Sequence, residues 1–153
     1  MTDVFEVLAS DHAEIQQMLA ELELRPAGGT GDQLMRKKMA ERLAVEASGH
    51  EALEEMFFWP AVREHMTGGD AFADEASGQE QAGRDVLNEL DRTEASDPRF
   101  EQLLATFIRA AREHIKFEEE TVWPRAWVAL PAEVATMLGE RITESKKAML
   151  AAR

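Results

Sequence analysis

The chain contains no cysteine, which excludes disulfides, thiolate metal sites and iron–sulfur clusters. It contains no tyrosine either, so tyrosyl chemistry is absent. Positive charge is scarce: 17 Lys and Arg stand against 30 Asp and Glu, a formal net charge of -13. That balance argues against nucleic acids and anionic membranes as partners and favours bound cations, although most of these acids are expected to be solvated helix faces. No apolar run is long enough to span a bilayer, and Met1-Thr2-Asp3-Val4-Phe5-Glu6 lacks the basic and apolar regions of a signal peptide. A cytoplasmic protein without membrane partners is the expectation. No stretch alternates convincingly with period two, so strands are not expected.

What is present is helical periodicity, and 153 residues suffice for one domain with a real core. Thr2 or Asp3 can cap a first helix whose apolar stripe is Phe5, Leu8, Ile15, Leu19 and Leu22, with His12 inside it; Pro26-Ala27-Gly28-Gly29 ends it. A second helix starts near Asp32, with Leu34, Leu43, Ala47, Phe57 and Phe58 on or beside its inner face. Pro60 predicts a kink or a break, after which the helix resumes until Thr67-Gly68-Gly69. Asp70 can cap a third helix carrying Ala76, Gly83, Leu87 and Leu90, with Glu80 between Ala76 and Gly83. Asp97 and Pro98 open a fourth, with Phe100, Leu104, Phe107, Ala111, Phe117 and Val122 along it and Pro124 as a second kink. After Leu130-Pro131 comes a fifth, amphipathic helix (Val134, Leu138, Ile142) ending at Lys146-Lys147, expected to pack outside the bundle and to carry no ligand. The fold class expected is all-α: an antiparallel up-down-up-down four-helix bundle over about residues 3–128, with an additional C-terminal helix over about 131–150, in a single domain 1–153.

One stretch occurs twice. His50-Glu51-Ala52-Leu53-Glu54-Glu55 leads to Trp59-Pro60, and His114-Ile115-Lys116-Phe117-Glu118-Glu119 leads to Trp123-Pro124. Each His is followed four residues later by a Glu on the same helical face. A single His-x-x-x-Glu is a common helix pair, and a single His on an apolar stripe is ordinarily a hydrogen-bonded core residue. Two copies with the same Trp-Pro spacing are not expected by chance. A second register extends the repeat: Asp11-His12 through Leu22 aligns without gaps to Gln79-Glu80 through Leu90, so that His12 matches Glu80. The chain therefore reads as a duplicated helical hairpin. Counting along the arms puts Glu80 and His114 at nearly the same height. The arms joining His12 and His50 differ by roughly six residues, about 9 Å, which the Gly-rich turn can absorb.

Three His and three Glu then lie on otherwise apolar faces. A buried, unpaired carboxylate costs several kcal/mol or loses its charge, and Lys and Arg are scarce on those faces. A pair of di- or trivalent metals supplies the missing charge, and nitrogen and oxygen ligands without sulfur suit iron or manganese. Glu55 and Glu119 are expected to face solvent or support the ligands from behind, and Glu51 and His65 to be surface residues. The Trp and Phe residues are core that would also wall a dry pocket.

This combination of a helix-1 His, two His-x-x-x-Glu pairs with following aromatic-Pro, and a ligand position early on helix 3 resembles the hemerythrin-like (HHE cation-binding) family over roughly residues 4–128. The resemblance implies a four-helix bundle holding two iron ions (manganese being the alternative). His12 and His50 would bind one iron, His114 and Glu80 the other. Glu54 and Glu118 would bridge them beside an oxo or hydroxo group. The family usually has His where Glu80 stands. An added anionic ligand favours the ferric state, which argues against reversible oxygen carriage. The function expected is binding or turnover of a small oxidant (dioxygen, peroxide or nitric oxide), served by an electron donor that the sequence does not identify. Peroxide decomposition comes first, and a non-catalytic oxygen or iron sensor or store is the alternative.

Overall fold

The computed structural model of the protein describes residues 2–24 and 30–152. Seven α-helices follow one another there: α1 (Val4–Leu24), α2 (Thr30–Leu53), α3 (Trp59–His65), α4 (Gly69–Asp91), α5 (Pro98–Lys116), α6 (Trp123–Ala129) and α7 (Ala132–Ala151). A π-helical segment, Glu54–Phe58, joins α2 to α3, and a second, Phe117–Val122, joins α5 to α6. The result is four long helical rods in an all-α bundle, with α7 as an added fifth; no strand occurs among the described residues. The turn expected at Pro26-Ala27-Gly28-Gly29 lies outside them.

Helix starts follow local chemistry. Asp3 accepts a hydrogen bond from the Glu6 amide (3.0 Å) and Asp97 one from the Arg99 amide (2.9 Å), with Pro98 directly after it. The cap expected from Asp70 is replaced by Gly68, whose φ of 74° is the left-handed conformation that glycine adopts without strain. Asp70 sits two residues on, within the first turn of α4, exposed and paired with Arg63 (3.1 Å). Leu34 is likewise not an inner residue; it is 58% exposed. Arg36 takes the inner position in that turn, where it donates to the Leu22 carbonyl (2.7 Å) and reaches Glu101.

Neither Pro60 nor Pro124 breaks its helix. Each follows a π turn in which the Trp amide bonds five residues back, Trp59 to the Glu54 carbonyl and Trp123 to the Glu118 carbonyl. A proline ring ordinarily collides with the carbonyl four residues before it and withholds one donor. Inserting an extra residue in the turn widens the backbone ahead of the ring. Both prolines lie on the exposed face, where freed carbonyls meet water.

The apolar interior forms two halves. One contains Val4, Leu8, Phe58, Val62, Val122 and Ala126; the other contains Ile15, Leu19, Leu43, Phe100, Leu104 and Phe107. Helix α7 lies against α1, and its Leu138 and Ile142 complete the first half. Leu19 is fully buried, so Leu19→Ala is expected to cost about 2–5 kcal/mol, read as a lower denaturant midpoint at unchanged slope. Between the halves lies a polar layer. Along α1 the order is Leu8, His12, Ile15; along the second rod it is Ala47, His50, Leu53.

Candidate metal centre

That layer contains His12 from α1, His50 from the last turn of α2, Glu80 from α4, His114 from α5, and Glu54 and Glu118, the first or second residues of the two π segments. All six are buried, none more than 8% exposed. The structure brings them into two groups that share a member. His12, His50, Glu54 and Glu118 offer ligand atoms within 4.8 Å of one another, and so do Glu54, Glu80 and His114. Glu118 spans the groups as well, since its Oε1 is 3.6 Å from His12 Nε2 and 2.9 Å from His114 Nε2. His114 Nε2 is 3.4 Å from Glu80 Oε1, and His50 Nε2 is 2.7 Å from Glu54 Oε1. The pairing of Glu80 with His114 expected from equal arm lengths is what the helices produce.

Both oxygens of Glu54, Glu80 and Glu118, and Nε2 of His114, are buried without a properly aligned hydrogen bond. Native interiors rarely tolerate such orphans, each costing about 1–3 kcal/mol. His12 and His50 add a second sign of an intended cation. Their Nε2 atoms face each other at 3.1 Å, while each Nδ1 is turned to a carboxylate that can only accept. Both Nε2 atoms therefore present lone pairs to the same point. About 3 Å also separates neighbouring ligands around a six-coordinate metal with bonds of about 2.1 Å. The donor set and its unsatisfied atoms fit a pair of metal ions, and are consistent with a di-iron site.

Without positive ions the layer must share protons. Burial raises Glu54 well above the usual carboxylate range, and Glu118 and Glu80 add to it. Burial would raise Glu118 too, but the proton on Glu54 and the imidazoles of His114 and His12 hold it well below that range. Burial would lower His114, yet the Glu118 and Glu80 carboxylates outweigh it and push the imidazole up to about 10.

Each imidazole is held from behind: by Glu119, for which support of a ligand is one of the two expected roles, and by Asp11 and Gln79, which are not among the expected residues. Asp11 Oδ2 lies 3.0 Å from His50 Nδ1, Gln79 Oε1 2.7 Å from His114 Nδ1, and Glu119 Oε2 2.8 Å from His12 Nδ1. Such partners fix the tautomer and aim the other nitrogen inward. The repeat could have revealed them. Asp11 and Gln79 are equivalent positions, each supporting the His of the next helix. Glu119 is equivalent to Glu55, but the residue matching His12 is Glu80, which has no N–H to offer. Glu55 is accordingly exposed and lies 3.4 Å from Arg84. Asp11 has one further partner, Lys146 of α7. Burial would raise the Asp11 carboxyl, but His50 and Lys146 more than offset it and hold it below the usual range.

The indole of Trp123 stacks on His12 (ring centroids 4.8 Å apart, planes at 13°). Phe5 meets both Phe58 and Trp123 edge-on, closing one side of the layer with aromatic surface. The opposite side opens into a cavity of about 40 Å³ bounded by His12, His50, Glu80, His114, Ala47 and Phe107. Glu51 also borders it and is not the surface residue expected. Burial and the nearby Glu80 raise its carboxyl to about 7, and Arg84 approaches to 3.6 Å. His65 lies past the first π segment, half-buried and 3.8 Å from Glu64, away from the layer.

The model of the hemerythrin HHE cation binding domain matches residues 3–126. The fold resembles the crystal structure of a hemerythrin HHE cation binding domain-containing protein from Mycobacterium kansasii, with a TM-score of 0.81 and 21% identity over 96% of this chain and 86% of that one. At that identity the likeness speaks to the fold alone. No curated protein gives a significant match. With the family model spanning all four bundle rods and the layer between them, the chain belongs to the hemerythrin HHE cation-binding family.

Proposed function

We propose that the chain is a single-domain, non-heme di-iron module that binds a small oxidant-class molecule (dioxygen, peroxide or nitric oxide) and acts as a sensor or store. The observation that carries this reading is the pair of buried carboxylates, Glu54 and Glu118, set between imidazoles with their oxygens unsatisfied. His12 and His50 would hold one metal, His114 and Glu80 the other, and Glu54 and Glu118 would lie between them. Bound there, the pair would supply Lewis acidity and one-electron redox chemistry in a dry site. The residues around it do the rest. Asp11, Gln79 and Glu119 orient the imidazoles, Trp123 and Phe58 keep water from one side, and the small cavity admits a molecule of a few heavy atoms on the other.

Peroxide decomposition is the second reading, favoured by Glu80. A third carboxylate in the ligand layer stabilises the oxidised pair and makes the site resemble carboxylate-rich di-iron centres more than an oxygen carrier. One set of measurements separates these readings: iron content, the near-ultraviolet charge-transfer spectrum, and the response to peroxide and nitric oxide. Two iron equivalents and a spectral response without sustained oxygen evolution are expected for a sensor or store. Sustained oxygen evolution from peroxide would move the assignment to the enzyme. Absence of bound metal after iron loading would sink both and leave a helical interaction protein.

Glu80→His is expected to make the reduced pair easier to reach. If the extra carboxylate favours the ferric state 10- to 100-fold, the potential rises on the order of 60–120 mV on substitution. An unchanged potential and spectrum, measured by spectroelectrochemistry, would remove Glu80 from the ligand set.

A further inference from the structure

Helix α7 lies outside the residues matched by the family model, yet it reaches the layer. Its backbone passes so close to the start of α1 that a Cβ on Gly139 would collide with the Thr2 carbonyl and the Asp3 backbone. Two turns further on, Lys146 Nζ donates to Asp11 Oδ1, whose other oxygen accepts from His50 Nδ1. Asp11 is 7% exposed, and the Lys146 side chain is 35% exposed. The equivalent support in the other half is Gln79, a neutral amide that has no need of a counter-charge. Asp11 is an anion, and the cation beside it comes from the element that the repeat does not contain.

We infer that Lys146 and Asp11 are positioning residues that make the metal affinity of the His12–His50 side depend on the seating of α7; this rests on the metal-binding reading above. With Lys146 in place, Asp11 is fixed and its charge offset, so it holds the His50 ring with Nε2 aimed at the layer. When α7 lifts, Asp11 keeps its negative charge in a buried position, turns toward water, and releases the ring. A groove of about 300 Å³ between α1, α2 and the end of α7 runs past Asp11, His50 and Lys146, which gives Asp11 room to turn. Linkage makes the coupling reciprocal: metal that prefers the aimed imidazole must also hold α7 down, by the same factor.

The test is anaerobic titration with ferrous iron, with hydrogen exchange of the α7 amides followed before and after loading. Lys146→Met is expected to weaken one of the two iron equivalents by about 10- to 100-fold, while Lys146→Arg restores it. Asp11→Asn retains an oxygen for His50 Nδ1 but needs no cation, so in that background Lys146→Met should change the affinity little. A role of Lys146 in packing alone would give the same loss in both backgrounds, and that result would overturn the inference. Equal affinities in Lys146→Met and the unaltered protein, or α7 exchange that iron does not slow, would overturn it too. Failure of the unaltered protein to take up iron would bring down the metal reading together with this one, whereas normal uptake by all variants would bring down this one alone.

Discussion

Removal of iron from the loaded protein with a chelator is expected to lower its melting temperature by roughly 15 °C or more. The effect is large because the layer is placed where nothing else can satisfy it. Three carboxylates and three imidazoles separate two apolar halves, and seven of their ligand atoms are buried without aligned partners. Two sites, each filled at about a thousand times its dissociation constant, would contribute about 4 kcal/mol apiece. In a chain of this length each kcal/mol is worth about 2–4 °C. The metal-free protein recovers part of this by moving protons onto Glu54 and His114, so it stays folded but weaker. Calorimetry of the same sample before and after chelation reads the difference. A shift of only a few degrees would mean that the layer is satisfied without metal.

Glu54→Met should abolish the response to iron and also weaken the metal-free form. Glu54 belongs to both ligand groups, so its loss is expected to abolish binding of the pair and with it the whole iron-dependent rise in melting temperature. In the metal-free protein, burial and the neighbours Glu118 and Glu80 keep a proton on Glu54, and that proton faces Glu118. An apolar side chain of similar length leaves the buried Glu118 carboxylate with one favourable partner fewer, a loss of about 1–3 kcal/mol. The metal-free variant should therefore fall below the metal-free parent by about that much in chemical denaturation, and iron should no longer change it. A variant that still gains stability on iron loading would remove Glu54 from the ligand set.

The six residues of the layer were legible because their information is local and repeated. A His and a Glu four apart share a face whatever the rest of the chain does, and a second copy at equal spacing fixes the fold plan. Helix starts at Asp3 and Asp97 were legible for the same reason. What sits behind the ligands was legible only as one of two roles for Glu119, because which side chain reaches an Nδ1 depends on the rotation of neighbouring helices. Asp11 and Gln79 could still have been found, since the repeat aligns them one residue before His12 and Glu80. Lys146 could not, as its partner is 135 positions away in sequence on an element that has no counterpart in the repeat. Leu34 is exposed because register decides over hydrophobicity: the inner row runs through Arg36, Ala40, Leu43 and Ala47, and Leu34 lies off it. At Pro60 and Pro124 the expected kink or break is joined by a third outcome, for a helix can also meet a proline by widening.

That widening sets a limit on how the two copies can diverge. Between His and Pro they differ at most positions: Ala52 aligns with Lys116, Leu53 with Phe117 and Met56 with Glu120. Deleting one residue between Glu54 and Trp59 would restore an unbroken α ladder, and would at the same time turn everything downstream by about 100°. Val62 would leave the core, and Pro60 would swing away from solvent. The π turn thus converts a spacing into a requirement. Composition within the interval can drift away from the ligands and the buried positions, but its length cannot change by a single residue in one copy without carrying α3 or α6 off the bundle.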